Sequence, residues 1–257
     1  MRPRRSLRAR GDAAVSAARE TVAWACRILA YYGHGDLTLG HASIRAGDRL
    51  YMKRKGVGLE EVTPADVLTL DLDGRKRNGD GAVHLEVPLH TEVYKVRPDV
   101  GAVIHTHPLW SVALGTVETP LRYLAHDALL FPDGLGIFEE TSDLITNVAT
   151  GGAVAQALGS RRAVLMRNHG VLIVGRTVGW AVLAALALER AARLQSMAGS
   201  LGTPAAIPDG GVPALHVSKY REEFIDEYWE YWLRCLRRAG LTDGMPARPR
   251  ERRSRGG

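Results

Sequence analysis

Cysteine is scarce in this chain. Its 257 residues hold two, Cys26 and Cys235, far apart and without metal or redox spacing. That excludes a disulfide framework and leaves a reducing cytoplasm as the expected compartment. Long apolar runs are missing too. The longest, Ala181 to Leu188, is far short of a membrane span. No apolar segment follows the charged N-terminus, so no secretory signal is expected. Acidic residues are almost absent from both ends. Residues 1–10 carry five arginines and no acid, and residues 241–257 carry five arginines against Asp243 and Glu251. The formal net charge of +6 therefore sits in the tails, and the stretch between them is close to neutral. A specific nucleic-acid surface on the fold is not expected. There is no internal repeat and no strict alternation of strand and helix.

What is present is an ordinary globular composition, 46% hydrophobic and 24% charged, in a length that suits one domain. We expect basic disordered tails over residues 1–12 and 239–257 and a single domain over 13–238. Apolar residues at helical spacing (Val15, Val22, Ala25, Cys26, Leu29) predict a helix over 13–32, stopped by Gly33. A strand is expected over 49–52, a helical turn at Thr63-Pro64-Ala65-Asp66 and a strand over 67–72. A helix over 84–96 would put Leu85, Leu89, Val93 and Val96 on one side, and Glu86 and His90 on one face. Strands follow at 100–104, 163–166 and 171–174, with short ones at 121–124 and near Phe131. Helices are predicted from 111, over 151–158, over 177–198 and over 218–236, with a Gly/Pro-rich loop over 202–214.

The stretch from Gly101 to Pro108 carries the chemistry. Residues two apart on a strand share a face, so His105 and His107 can aim two imidazoles at one point if the strand continues through them. A hydrogen-bonded histidine pair at a strand end would have the same spacing. His169 stands at another strand–turn junction, before Gly170, which lets backbone approach closely. Glu86 precedes the His-x-His strand. Three histidines with an open position suit a catalytic divalent ion, and a nearby carboxylate can serve as a fourth ligand or as general acid/base.

In order and spacing, Glu86-x3-His90-x3-Tyr94-x2-Arg97-Pro98-Asp99, Ala102-Val103-Ile104-His105-Thr106-His107 and Asn168-His169-Gly170 resemble the class II aldolase/adducin family. Gly40-x2-Ser43-x-Arg45 resembles its early motif, with His41 where the family has asparagine. The likeness covers about residues 13–200. It implies an α/β fold, a three-layer α/β/α sandwich with a mostly antiparallel central sheet. It implies one divalent ion per subunit on His105, His107 and His169: zinc first, with manganese or iron as the other fits. It further implies a homotetramer with sites at subunit interfaces and Glu86 as the acid/base. His126 is a candidate second proton donor, and the aromatic C-terminal helix could bring Tyr228 or Tyr231 to a neighbour's site or simply pack subunits together. Substrate contacts are expected from His41, Ser43, His90 and the loop Lys53, Arg54, Lys55 and Gly56.

The best-known members act on sugar phosphates, which they hold with a Thr/Ser-Gly loop and a Ser-Ser pair before the glutamate. Here those places read Lys53-Arg54-Lys55-Gly56 and His84-Leu85. Cations beside a metal suit a small carboxylated substrate. The segments around Glu86, Glu140-Thr141-Ser142-Asp143 and Arg167-Asn168-His169-Gly170 look more like the family's decarboxylases of dihydroxyphthalates and of 2-hydroxy-3-carboxymuconate semialdehyde. We therefore expect a metal-dependent carbon–carbon lyase, a decarboxylase ahead of an aldehyde lyase. The alternatives are an aldolase or epimerase on a small sugar phosphate, an iron-dependent oxygenase of a phenolic acid, and a metal-free scaffold.

Overall fold

The computed structural model describes residues 3–246, with side chains from residue 13 onward. In chain order the elements are α1 (Pro3–Leu29), β1 (His41–Ala46), β2 (Arg49–Lys53), β3 (Val67–Asp71), β4 (Lys76–Asn78), α2 (Pro88–Val96), β5 (Ala102–Thr106), α3 (Leu109–Gly115), β6 (Gly136–Phe138), α4 (Val148–Leu158), β7 (Ala163–Met166), β8 (Gly170–Gly175), α5 (Val178–Leu201), α6 (Val212–Lys219) and α7 (Glu222–Arg238). The strands form one eight-stranded sheet in the order β4-β3-β2-β1-β5-β8-β7-β6. β6 runs parallel to β7, while β1, for example, lies antiparallel to both β2 and β5. Of the seven pairings among the described residues six are antiparallel and one, β6 with β7, is parallel, so the sheet is mixed. The parallel step arises because α4 carries the chain from β6 back to the start of β7, as a crossover must.

Strand periodicity sorts the core into two clusters. Ala102 and Ile104 of β5, and Val171 and Ile173 of β8, pack with α1, α5 and α7. Val103 of β5, and Leu172 and Val174 of β8, pack with Leu89 and Val93 of α2 and Val154 and Leu158 of α4. Successive side chains point to opposite faces, so His105 follows Val103 onto the α2 side. On β1, Ala42 belongs to the α1 side, which sends His41 and Ser43 to the α2 side as well. His41 is the direct cross-strand partner of His105. Both cysteines are free and buried, and no helix among the described residues is long and apolar enough to cross a membrane.

Several boundaries differ from expectation. α1 begins at Pro3 and takes in most of the expected basic tail, since arginine, alanine and leucine are strong helix formers. At the other end, Arg27 donates to the carbonyls of Leu241 and Asp243, so the chain stays docked past residue 239. Residues 247–257 of that expected tail lie outside the described residues. α2 starts at Pro88, a residue suited to a first helical turn and barred from the interior. Leu85 (51% exposed) and Val96 (62% exposed) consequently leave the predicted stripe. No strand forms at 121–124 or at Phe131; a 3-10 turn, His126–Leu130, lies between them. The aromatic C-terminal helix is two helices, separated where Tyr220 and Arg221 leave helical geometry.

Candidate metal centre

His105 is the fourth residue of β5 and is fully buried. β5 ends at Thr106, so His107 lies just beyond the strand, yet its ring meets that of His105 edge-on at 4.8 Å between centroids. His169 sits on the turn joining β7 to β8. Asn168 before it adopts left-handed backbone (φ 55), a conformation asparagine tolerates better than most residues. Gly170 after it leaves the space that the rings need: a Cβ there would stand 2.5 Å from His107 Cδ2 and 3.0 Å from His105 Cε1. The three histidines present nitrogens that all lie within 4.8 Å of one another.

Glu86 closes the cluster from the turn before α2. One carboxylate oxygen is 3.5 Å from His105 Nε2 and 3.5 Å from His41 Nε2, and the other is 3.5 Å from His169 Nε2. The Ile145 backbone N–H donates to Glu86 at 3.0 Å. Burial raises the Glu86 carboxyl above its ordinary range, and that N–H pulls it partly back. Such a group can hold a proton nearer neutrality than a free glutamate does.

The donor set fits a divalent cation. His105 Nδ1 faces the Val171 carbonyl at 3.1 Å, so its proton lies there and its Nε2 carries the lone pair. Nε2 of His107 is only 3.0 Å away, and the Asp36 carboxylate faces His107 Nδ1 at 3.3 Å. At 3.0 Å one proton can be shared between the two Nε2 atoms, and a cation in its place would take both lone pairs. Burial lowers His105 well below the usual histidine range and brings His169 to about 4, so both rings are neutral and able to ligate near pH 7.

The other expected site residues separate into three groups. His41, Ser43 and His90 are buried and wired together beneath Glu86. His41 Nδ1 is 2.7 Å from His90 Nε2, His90 Nδ1 is 2.7 Å from Ser43 Oγ, and Ser43 Oγ is 2.9 Å from the Tyr94 hydroxyl. They underlie the cleft rather than line it. Of the basic stretch, only Lys55 faces the cleft. Lys53 is fully buried at the end of β2 and donates to the Thr38 carbonyl at 3.0 Å. Arg54 pairs with Asp66 at 2.8 Å, and Gly56 is an exposed turn residue with φ 81. His126 and Tyr228 form the third group. His126 is exposed on its 3-10 turn, and Tyr228 lines a separate cleft of about 580 Å³ with Tyr32, Asp127 and Arg190. Within one chain neither joins the histidines.

Residues that sequence patterns did not mark complete the site. The cleft above the histidines, about 420 Å³, is lined by Asp36, Lys55, His84, Glu86, His107 and Asp143 among others. His84 Nε2 lies 3.4 Å from Lys53 Nζ. A charged lysine can only donate, so it fixes His84 Nε2 as the acceptor and leaves the ring proton on Nδ1. His84 carried a signal, since it stands where the family has serine. Asp143 ends the Glu140-Thr141-Ser142-Asp143 segment that resembles the decarboxylases, whereas Asp36 lies in an irregular loop with no motif to flag it.

Residues 20–196 match the family described as Class II Aldolase and Adducin N-terminal domain. A 3,4-dihydroxyphthalate decarboxylase of Arthrobacter keyseri is 33% identical over 206 residues, 72% of this chain and 80% of the relative. One from Terrabacter sp. is 34% identical over 214 residues, 78% of this chain and 89% of the relative. Among solved structures, L-fuculose 1-phosphate aldolase from Glaciozyma antarctica superposes with a TM-score of 0.77 at 22% identity, covering 88% of this chain and 92% of that one.

Proposed function

Because this chain belongs to the class II aldolase and adducin family, we propose that it is a metal-dependent carbon–carbon lyase that decarboxylates a hydroxylated aromatic acid or its ring-cleavage product. The observation that carries the reading is the clustering of His105, His107 and His169 around the Glu86 carboxylate. The three histidines would hold the ion. When bound, a divalent ion supplies Lewis acidity to a chelating oxygen pair on the substrate; zinc, manganese and iron all suit this donor set.

The protein's own groups then have defined tasks. Lys55 and His84 on the cleft wall supply a cation and a fixed N–H donor for a substrate carboxylate, and Lys53 holds His84 in that tautomer from below. Breaking the bond to the carboxyl carbon releases CO2 and leaves an electron pair on the adjacent carbon, which must take up a proton. Glu86, raised by burial, is the group that stores and delivers it. His41, hydrogen-bonded to His90, backs the carboxylate and keeps its rotamer. Assembly into a homotetramer, the arrangement the family resemblance implies, would let His126 and Tyr228 serve a neighbouring subunit's cleft. A cytoplasmic location accords with two free, buried cysteines.

The test uses purified protein loaded with zinc, manganese or iron. CO2 release from 3,4-dihydroxyphthalate should exceed aldehyde release from fuculose 1-phosphate, and His107→Ala should lose both the ion and the activity. Equal or faster cleavage of the sugar phosphate would overturn the decarboxylase reading. Oxygen consumption with iron and a phenolic acid would replace it by an oxygenase.

A further inference from the structure

The three histidines of the centre are oriented in different ways. His105 Nδ1 has the Val171 carbonyl. His169 Nδ1 is buried without a hydrogen-bond partner among the described residues. His107 Nδ1 is also buried and without an aligned hydrogen-bond partner among the described residues; the Asp36 carboxylate stands 3.3 Å from it, at ion-pair distance. Asp36 belongs to none of the strands. It lies two residues past a kinked turn, Ala30–His34, in which Tyr32 and Gly33 leave helical geometry and Gly33, left-handed (φ 92), turns the chain off the end of α1. The same turn brings His34 Nδ1 to 2.9 Å from Thr106 Oγ1. Thr106 is the residue between the two histidines, and its side chain points to the opposite face of β5. One short segment thus grips the end of β5 from both sides, at two successive residues.

The chemistry of the contact is directional. A neutral imidazole carries its proton on one nitrogen, and an acceptor at Nδ1 keeps it there. Nε2 is then free to bind a cation, and a negative acceptor makes it a stronger donor to that cation. A carbonyl does this for His105. Asp36 offers His107 the stronger version.

We propose that Asp36 is the positioning carboxylate of the metal ligand His107, holding the Nδ1–H tautomer and tightening the grip on the ion, while His34 anchors the strand end through Thr106. The inference rests on the three-histidine centre and is independent of which reaction that centre catalyses.

The experiment compares wild type with Asp36→Ala, Asp36→Asn and Glu60→Gln. Glu60 is an exposed acid that lines a neighbouring outer cleft with Asp36, and so controls for loss of charge near the site. Zinc affinity is measured by competition with a chromophoric chelator. The His107 tautomer is read from long-range proton–nitrogen spectra of the metal-free protein. Asp36→Ala should weaken zinc about 10- to 100-fold and abolish the preference for Nδ1–H. Asp36→Asn keeps an acceptor oxygen without the charge and should fall between, and Glu60→Gln should match wild type. Wild-type zinc affinity and tautomer in Asp36→Ala would overturn the inference and leave the centre standing. An equal loss in Glu60→Gln would also overturn it, since the effect would then be charge in general. Failure of the wild type to bind zinc would overturn the three-histidine centre and the inference together.

Discussion

His34, His84 and His90 are buried imidazoles with no carboxylate in ion-pair contact. Burial brings His34 to about 4, and burial with the nearby lysines brings His84 to about 3. His90 falls to about 3 through burial and the neighbouring His84. In the unfolded chain each would titrate near its ordinary 6.5. Between that value and 3 to 4, protons bind the unfolded chain and not the folded one, so acidification draws the equilibrium toward unfolding. The contribution is complete above pH 6.5 and is lost as pH falls through the window. The metal-free protein should therefore show a thermal midpoint that is flat from pH 8 to 7 and drops steadily from pH 6 to 4; a flat midpoint across the lower range would contradict the neutral state of these rings. Residue roles were unevenly legible in the sequence. His105 and His107 stand out by their spacing after an apolar run, but a hydrogen-bonded pair has the same spacing, and only His169 and Glu86 from elsewhere in the chain tell the two apart. Lys53 misleads: its neighbours make it look like part of a solvent-facing loop, but it is the last residue of β2 and its charge turns inward. Asp36 is silent, because the contact that gives it meaning spans 71 positions of chain.

At the scale of elements, helix α4 and the loop before it hold Glu86 in place. Asn147 caps α4, its side-chain oxygen accepting from the Thr150 N–H at 2.9 Å. Two residues earlier Ile145 donates to Glu86. Asn147→Ala should cost about 1 kcal/mol in urea-unfolding stability, the usual worth of such a cap, with zinc affinity unchanged because the three histidines lie on β5, just past its end and on the β7–β8 turn. Strands with continuous apolar runs are readable as elements, β5, β7 and β8 above all, because burial on both faces selects short β-branched and aliphatic runs. The helix over 84–96 begins one turn later than its apolar pattern predicts, because Leu85 continues the helical period while Pro88 sets the true start. β4 could not be read at all. Its three residues are exposed, so no hydrophobic pattern exists to find.

At the scale of the whole molecule, the positions of His126 and Tyr228 away from their own chain's histidines make an assembly prediction. If neighbouring subunits complete each other's sites, Glu86→Gln and Tyr228→Phe are defects in different halves of one site. Each variant alone should be nearly inactive. Co-expressed hybrids should recover about a quarter of wild-type activity, the chance that a site draws both halves intact in a closed ring. Hybrids no more active than the separate variants would mean that each chain carries its site alone.

β4 has one more consequence. It is the outer strand on its side of the sheet, and an outer strand offers unpaired backbone groups to any passing chain. Here the edge is only three residues long and reads Lys76-Arg77-Asn78. Two such edges brought together would set cation against cation along too short a ladder to offset the repulsion. The sheet is thereby closed to growth on that side. Copies of this molecule that associate must use other surfaces, which leaves the fold resistant to stacking into fibres from that edge.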